Sequence, residues 1–354
     1  MSPIPIWLDS DPGHDDAVAI LLACSLPQVK LLGLSTVHGN ATADFTFTNG
    51  VRLLEFYAAD PGVKVWRGAD KPLIRPTRAD PEIHGANGLG GADELPDLAD
   101  EGVKARLERS KGLKAIQGMA SAISETYRSG EGQKVTLIAT GPLTNVALFV
   151  SVYPELIEGV EQIVFMGGGV GIGNRSPVAE FNILCDPEAA QIVLDVPIPK
   201  VMIPLNVTHT ALLTSSRHAQ LLDPTSDWKE GLLPGATTPL RSVLSSALSF
   251  FVETYKSTFG FMDGPPLHDV LTVAYIAAPQ LFRTTRYRVD VELGVSHSMG
   301  ETVVDLYRYR QCDDSWGRSG LNCLVATDAD VPKIFDIILR AVHLCDDRRA
   351  KRSS

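Results

Sequence analysis

Four aspartates stand within eight residues near the start of this chain, in the run WLDSDPGHDDAVAI at 7–20. Asp9 and Asp11 close a short apolar stretch, and Asp15 and Asp16 follow one Pro-Gly turn later. Four like charges crowded into one turn repel one another, raising their pKa values or unfolding the turn unless an opposing charge is present. A hard divalent cation is the natural partner, because Ca²⁺ and Mg²⁺ take carboxylate and carbonyl oxygens. An acidic helix start accounts for Asp15 and Asp16 through the helix dipole. It does not account for Asp9 and Asp11, which alternate at the end of a strand. The run therefore predicts a metal site on the first strand-to-helix loop.

Two further blocks carry chemistry. Residues 166–190 read MGGGVGIGNRSPVAEFNILCDPEAA. Their glycines lack the spacing of a dinucleotide-binding turn, and no phosphate-binding P-loop occurs anywhere. Asn174, Glu180 and Asn182 remain, a donor and acceptor set that suits a polyol better than a phosphate. Taken singly, each is equally at home stabilising a loop. In the block 264–278, GPPLHDVLTVAYIAA, His268 and Asp269 open an apolar helix after a Pro-Pro turn. Asp269 either caps that helix or is a fifth carboxylate for the cation. His268 is either packed or catalytic.

These residues need elements to hold them. Short β-branched runs at 4–8, 30–37, 63–67, 135–139, 162–166 and 200–203 alternate with helical stretches at 15–26, 42–58, 113–128, 143–150 and 187–194. A helix is expected near 239–259. Such alternation predicts an α/β fold: an open, mostly parallel, Rossmann-like sheet with helices on both faces. Ligands bind such sheets beyond the carboxyl ends of the strands, where Asp9, Asp11, Asn40, Thr140 and the 167–182 segment fall. Residues 72–101, 223–238 and 308–322 read as irregular insertions on one domain, 1–345, followed by a frayed tail at 346–354. The 308–322 segment reads as an inert excursion, with an oligomer interface as the alternative.

With 354 residues and a net charge of −10, the chain is unsuited to nucleic acid or an anionic membrane surface. No apolar run approaches the roughly 20 residues that span a bilayer, and no secretory leader is expected. Five cysteines without a CxxC pair read as reduced thiols of a cytoplasmic protein.

DSDPGHDDAVAI resembles the DxDPGxDDAxA signature of the Ca²⁺-dependent nucleoside hydrolases, the inosine/uridine-preferring N-ribohydrolases. VHGN at 37–40, IHGANGLGG at 83–91 and ATGPLTN at 139–145 are similar to later family motifs. So are MGGG with GN and AEFN, then DPEAA, PLHD at 266–269 and GETVVD at 300–305. The ordered set spans roughly residues 4–305.

The resemblance implies hydrolysis of ribonucleosides to ribose and free base, with Ca²⁺ as cofactor and a homodimer or homotetramer as the assembly. It implies that Asp11, Asp16 and Asp269 bind Ca²⁺ through carboxylates and Thr140 through its carbonyl. Asp11 would also be the general base toward a water. Asp15, Asn40 and Asn182 would hold the ribose 2′- and 3′-hydroxyls, and Asn174 and Glu180 the 5′-hydroxyl. Asp9 would support the metal site from behind. His84 and His268 would lie beside the base, with Met166 and Phe181 as lesser contacts. His268 is the nominee for general acid. Tyr255 has two readings, helping the base leave or packing its helix.

Two other classes compete. A metal-dependent phosphohydrolase also places a DxD pair at the end of its first strand, but it needs a threonine or valine where Gly13 stands. A non-catalytic nucleoside or ribose binder needs no water-activating base, which counts against it here.

Overall fold

The computed structural model describes residues 2–353. Along the chain run β1 (Ile4–Ser10), α1 (His14–Ser25), β2 (Val29–Thr36), α2 (Ala43–Phe56) and β3 (Val65–Arg67). A long loop carrying the single turn α3 (Pro81–His84) leads to α4 (Glu101–Ser110), α5 (Ala115–Tyr127) and β4 (Val135–Ala139). Then come α6 (Thr144–Val152), β5 (Val160–Met166), α7 (Phe181–Cys185), α8 (Pro187–Asp195) and β6 (Lys200–Ile203). The helices α9 (Leu205–Thr208), α10 (Ser215–Leu222), α11 (Pro239–Phe259) and α12 (Val270–Ala277) follow. The chain continues through β7 (Phe282–Tyr287), β8 (Val289–Val291), β9 (Thr302–Val304), β10 (Cys323–Ala329) and α13 (Val331–Ser353).

Among the described residues, eight strands form one sheet in the order β3-β2-β1-β4-β5-β6-β10-β7. Its pairings are parallel except that of β7, an antiparallel edge. This is the α/β architecture expected from the alternation. Side chains alternate across the sheet with period two. In β1, Ile6 and Leu8 join the core formed with α1, α12 and α13. Trp7 between them joins the opposite core, with residues of α5, α6 and α8. Beyond its acidic first turn helix α1 is apolar on every side, and it is buried from His14 to Ala23, as a helix enclosed on all sides must be.

The sheet reverses direction at β1. The chain leaves β1 for β2 and β3 on one side and returns to place β4 on the other. The register pairs Asp9 with Ala139, and the Thr140 amide donates to the Asp9 carbonyl at 2.8 Å. The loops after β1 and β4 therefore diverge side by side at the switch point, where open α/β sheets bind ligands.

One expectation is corrected. The tail is not frayed: α13 runs to Ser353, while Ser354 lies outside the described residues. The Asp346 carboxylate accepts from Thr238 Oγ1 at 2.7 Å and Arg241 Nε at 2.8 Å. Arg348 donates to the carbonyls of Cys24 and Tyr57. Charged side chains read as solvated in sequence here reach backbone carbonyls of distant elements.

The 308–322 segment, read as an excursion, is fastened to the body of the domain. Arg286 donates to the carbonyls of Asp314, Ser315 and Leu321. The buried Lys200 ammonium donates to Trp316 at 2.6 Å. Among the described residues no helix is long and apolar enough to cross a membrane.

Asp346→Ala strips the largely buried Arg241 guanidinium of its carboxylate partner. A loss of about 2 kcal/mol is expected, the scale of a hydrogen bond to a charged group. Urea denaturation checks this through the midpoint; an unchanged midpoint would mean that α13 is not anchored there.

Candidate active site

The carboxylates converge at the switch point because β1 delivers Asp9 and Asp11, α1 presents Asp15 and Asp16, and Asp269 precedes α12. Oxygens of Asp15, Asp16 and Asp269 lie within 4.8 Å of one another, and all three side chains are buried. Asp16 accepts from Ser10 Oγ at 2.6 Å, Thr140 Oγ1 at 2.7 Å and the Gly13 amide at 3.0 Å. It therefore closes the first turn of α1 while facing the cluster. Asp11 stands apart from this trio. Its Oδ2 accepts from the Asn40 amide at 2.8 Å, and its Oδ1 is buried with no hydrogen-bond partner.

Close approach explains two glycines around Asp11. A Cβ on Gly39 would lie 1.9 Å from Asp11 Oδ2, and one on Gly141 would lie 2.5 Å from Oδ1. Only glycine lets both loops embrace the carboxylate. Behind it, Asp9 Oδ1 accepts from Ser35 at 2.5 Å and Asn145 at 2.8 Å, while Oδ2 has no partner.

Burial and mutual repulsion load these groups. Burial raises Asp9 to about 7 despite its two donors. Burial, then the Asp16 charge, raises Asp15 to about 7 and Asp11 well above the carboxylate range. Asp269 is likewise held well above that range, by burial and then by Asp15, Asp16 and Asp11. Carboxylates and a nearby carbonyl are hard oxygen donors, which suits a hard divalent cation. The residues present fit such a metal.

A pocket opens onto the cluster. Its lining includes Asp15, Asn40, His84, Thr140, Met166, Asn174, Glu180, Phe181, Asn182, Tyr255, His268 and Asp269. Asp80 also lines it and is the one lining residue absent from the sequence-derived set. Asp9, Asp11 and Asp16 lie beneath the lining.

Each polar side chain there is held. Asn40 Nδ2 donates to the Asp11 carbonyl at 3.1 Å and to Asp16 at 3.0 Å. Asn182 Nδ2 donates to the carbonyls of Thr140 at 2.8 Å and Met166 at 3.2 Å. Glu180 caps α7, accepting from the amides of Asn182, Ile183 and Gly168. Three donors leave its carboxylate one lone-pair site for a ligand. Burial still pushes Glu180 up to about 7.

Opposite lies an aromatic and imidazole wall. Tyr255 Oη and His268 Nε2 are 2.8 Å apart, and His268 Nδ1 is 2.7 Å from Thr208 Oγ1. Both ring nitrogens of His268 are thus engaged. Burial, then His209, holds His268 well below the usual imidazole range. Burial also raises the Tyr255 phenol well above its ordinary value. His84 Nδ1 faces His14 Nδ1 at 3.1 Å, and His14 Nε2 is 2.9 Å from the Gly90 carbonyl.

Sequence reasoning passed over His14, Asp80, Asn145, Arg175 and Thr208. His14 and Asn145 stand inside quoted motifs, but their partners His84 and Asp9 are 70 and 136 residues away. No local spacing reveals such pairs.

A family profile described as inosine-uridine preferring nucleoside hydrolase matches residues 6–336. The chain belongs to that family. A probable ribonucleoside hydrolase of Dictyostelium discoideum is 40% identical over 345 residues, covering 97% of this chain and 95% of that one. A pyrimidine-specific ribonucleoside hydrolase RihA of Salmonella paratyphi A is 38% identical over 306 residues, covering 86% and 89%. The solved purine-preferring ribonucleoside hydrolase from Gardnerella vaginalis has a TM-score of 0.81 at 27% identity, covering 97% of this chain and 99% of its own. As a nucleoside hydrolase, the chain cleaves the N-glycosidic bond of ribonucleosides to give ribose and free base. The family is metal-dependent, and the Asp15, Asp16 and Asp269 group is able to hold a metal.

The raised carboxyls set a pH dependence. A carboxyl whose folded pKa lies above its unfolded value near about 4 keeps a proton that the unfolded chain has released. Folding then takes up protons, and stability falls as pH rises through that window. A cation replaces those protons. Below about pH 6.5 the buried His14 and His38, both lowered to about 4, work the other way, so the chelated protein is expected to lose thermal midpoint between about pH 6.5 and 8. Added divalent cation should restore more of it at the upper end. Scanning calorimetry decides; a chelated midpoint that rises across this range would contradict the assignment.

Proposed function

We propose that the chain is a Ca²⁺-dependent N-ribohydrolase acting on ribonucleosides such as uridine or inosine, with Asp11 as general base. The observation that carries this reading is Asp11 itself, with one oxygen held by Asn40, the other buried and partnerless, and the charges of Asp15 and Asp16 acting on it. An oxygen so placed accepts a proton from an attacking water. Its raised proton affinity suits that task. A mere binder has no use for such a base.

Asp11, Asp16 and Asp269, with the Thr140 carbonyl, would hold the Ca²⁺, and Asp9 would steady them through Ser35 and Asn145. Bound there, Ca²⁺ would supply the positive charge that lowers the pKa of a water, and Asp11 would take that water's proton as it attacks the anomeric carbon. Asp15, Asn40 and Asn182 receive the 2′- and 3′-hydroxyls. Asn174 and the remaining lone pair of Glu180 receive the 5′-hydroxyl. Breaking the N-glycosidic bond develops positive charge on the ribose, and the fixed acidic surroundings stabilise it.

The base departs with the bonding electron pair and needs a proton. His84, His268 and Tyr255 are the groups on that side with exchangeable protons, and His268 is the nominated acid. Met166 and Phe181 line the apolar contact. Residues 1–345, together with the docked end of α13, act as one catalytic unit. Five free cysteines favour a reducing, cytoplasmic setting, and a homodimer or homotetramer is the proposed assembly.

A reducing-sugar assay with uridine, inosine, cytidine and adenosine, with Ca²⁺ and after exhaustive chelation, tests the reading. Ca²⁺-dependent ribose release is expected. Asp11→Asn should lower kcat about 10³-fold with an unchanged circular dichroism spectrum; wild-type turnover in that variant would remove Asp11 from the base role.

Asn174→Ala and Glu180→Ala should narrow the preference for ribosides over 5′-deoxyribosides. Competition kinetics measures that ratio, and an unaltered ratio would dismiss the 5′-hydroxyl contact.

A further inference from the structure

Asp80 is a lining residue with an unusual partner. It stands at the N-cap position of α3, where aspartate ordinarily bonds the first turn of the helix. Its carboxylate makes no such bond. Instead it pairs with the Arg175 guanidinium across 95 residues of sequence. Both side chains are largely withdrawn from solvent, at 11% and 19% exposure. An exposed ion pair contributes little. A buried one is costly to form and strongly felt when broken.

Each partner is joined to a substrate-facing residue through backbone. The Asp80 carbonyl accepts from the His84 amide at 3.0 Å, so α3 carries His84 from Asp80 as one rigid turn. The Asp80 amide donates to the Asn40 carbonyl at 3.2 Å. On the other side, the amides of Asn174, Arg175 and Ser176 converge on the Ala179 carbonyl at 3.2, 3.2 and 3.4 Å. Asn174 Oδ1 accepts from the Phe181 amide at 2.9 Å, which leaves its NH₂ for a ligand. The Arg175 guanidinium also lies 5.1 Å from the ring centre of Phe259, one turn beyond Tyr255 on α11.

We propose that Arg175 and Asp80 are positioning residues that couple the sugar end of the site to the base end. A 5′-hydroxyl bound at Asn174 fixes the 173–179 loop, and Arg175 transmits that to Asp80 and so to His84 on α3. Binding energy from a part of the substrate that does not react is thereby spent on orienting the group beside the leaving base. A ribonucleoside lacking its 5′-hydroxyl then loses turnover and not only affinity. The proposal rests on the reading that Asn174 and Glu180 receive the 5′-hydroxyl.

A two-by-two comparison tests it. The Ca²⁺-loaded wild type and Arg175→Met are each assayed with a ribonucleoside and with its 5′-deoxy counterpart. In the wild type, removing the 5′-hydroxyl should lower kcat by about 10²-fold, the scale of an approximately 1 Å misplacement. In Arg175→Met that penalty should shrink about tenfold, because the variant has already lost the coupling. Asp80→Asn keeps the size of the side chain and should behave alike, and it supplies the same comparison if Arg175→Met does not fold. Arg175→Lys, which retains the charge, should recover part of the kcat penalty while KM stays close to that of Arg175→Met. A wild type that shows the penalty beside variants that keep it in full would make the pair merely structural and overturn the proposal. A wild type indifferent to the 5′-hydroxyl would overturn the Asn174 reading, and the coupling with it.

Discussion

Five carboxylates are buried at one end of one sheet, and the surroundings are arranged around that constraint. Asp9, Asp11, Asp15, Asp16 and Asp269 are each no more than 4% exposed. Uncompensated, such a cluster would be among the costliest arrangements a fold can hold. The protein meets part of the demand with neutral donors: Ser10, Ser35, Asn40, Thr140 and Asn145 all direct hydrogens into it. Two oxygens, on Asp9 and Asp11, go unserved. A site left deliberately short of positive charge attracts a cation, and it favours a transition state in which charge of the same sign grows on the sugar.

The sheet makes that concentration possible. Parallel strands point their carboxyl ends one way, and the reversal of order at β1 opens a gap between neighbouring loops. Long connections after β3 and β5 fold back over the gap and carry His84, Asn174 and Glu180. Helices α11 and α12 close the far wall with Tyr255 and, just before α12, His268 and Asp269. The residues that touch one another across the pocket thus come from six or more separate stretches, and the rigid strands beneath hold them in register.

Much of this was legible in the residues. Strands buried on both faces announce themselves as apolar runs, and the helix expected at 239–259 coincides with α11. Of the residues that line the pocket, Asp15, Asn174, Glu180, Asn182 and Asp269 stood out by their own chemistry, whereas His84, Met166 and Phe181 were named only through the family resemblance. What escaped was relational. A β-branched run carries no sign of its direction, so the antiparallel pairing of β7 with β10 was invisible. The three-residue strands β8 and β9 are too short for alternation to show. His14, Asp80 and Arg175 look ordinary until their partners, remote in sequence, are brought beside them. The run DDRRAKR reads as solvated because charge usually is, yet long side chains can lie along a protein surface and place their heads on carbonyls.

That last feature bears on how the molecule is made. Arg348 caps the end of α1 by donating to the carbonyl of Cys24, 324 positions upstream, and to the hydroxyl of Ser25. The helix whose first turn bears Asp15 and Asp16 is therefore closed at its other end by a residue far along the chain. The carbonyl of Cys24 and the hydroxyl of Ser25 receive this donor only when α13 is docked. Contacts so distant in sequence form slowly, so the helix that carries two of the carboxylates is completed only when remote parts of the domain have come together.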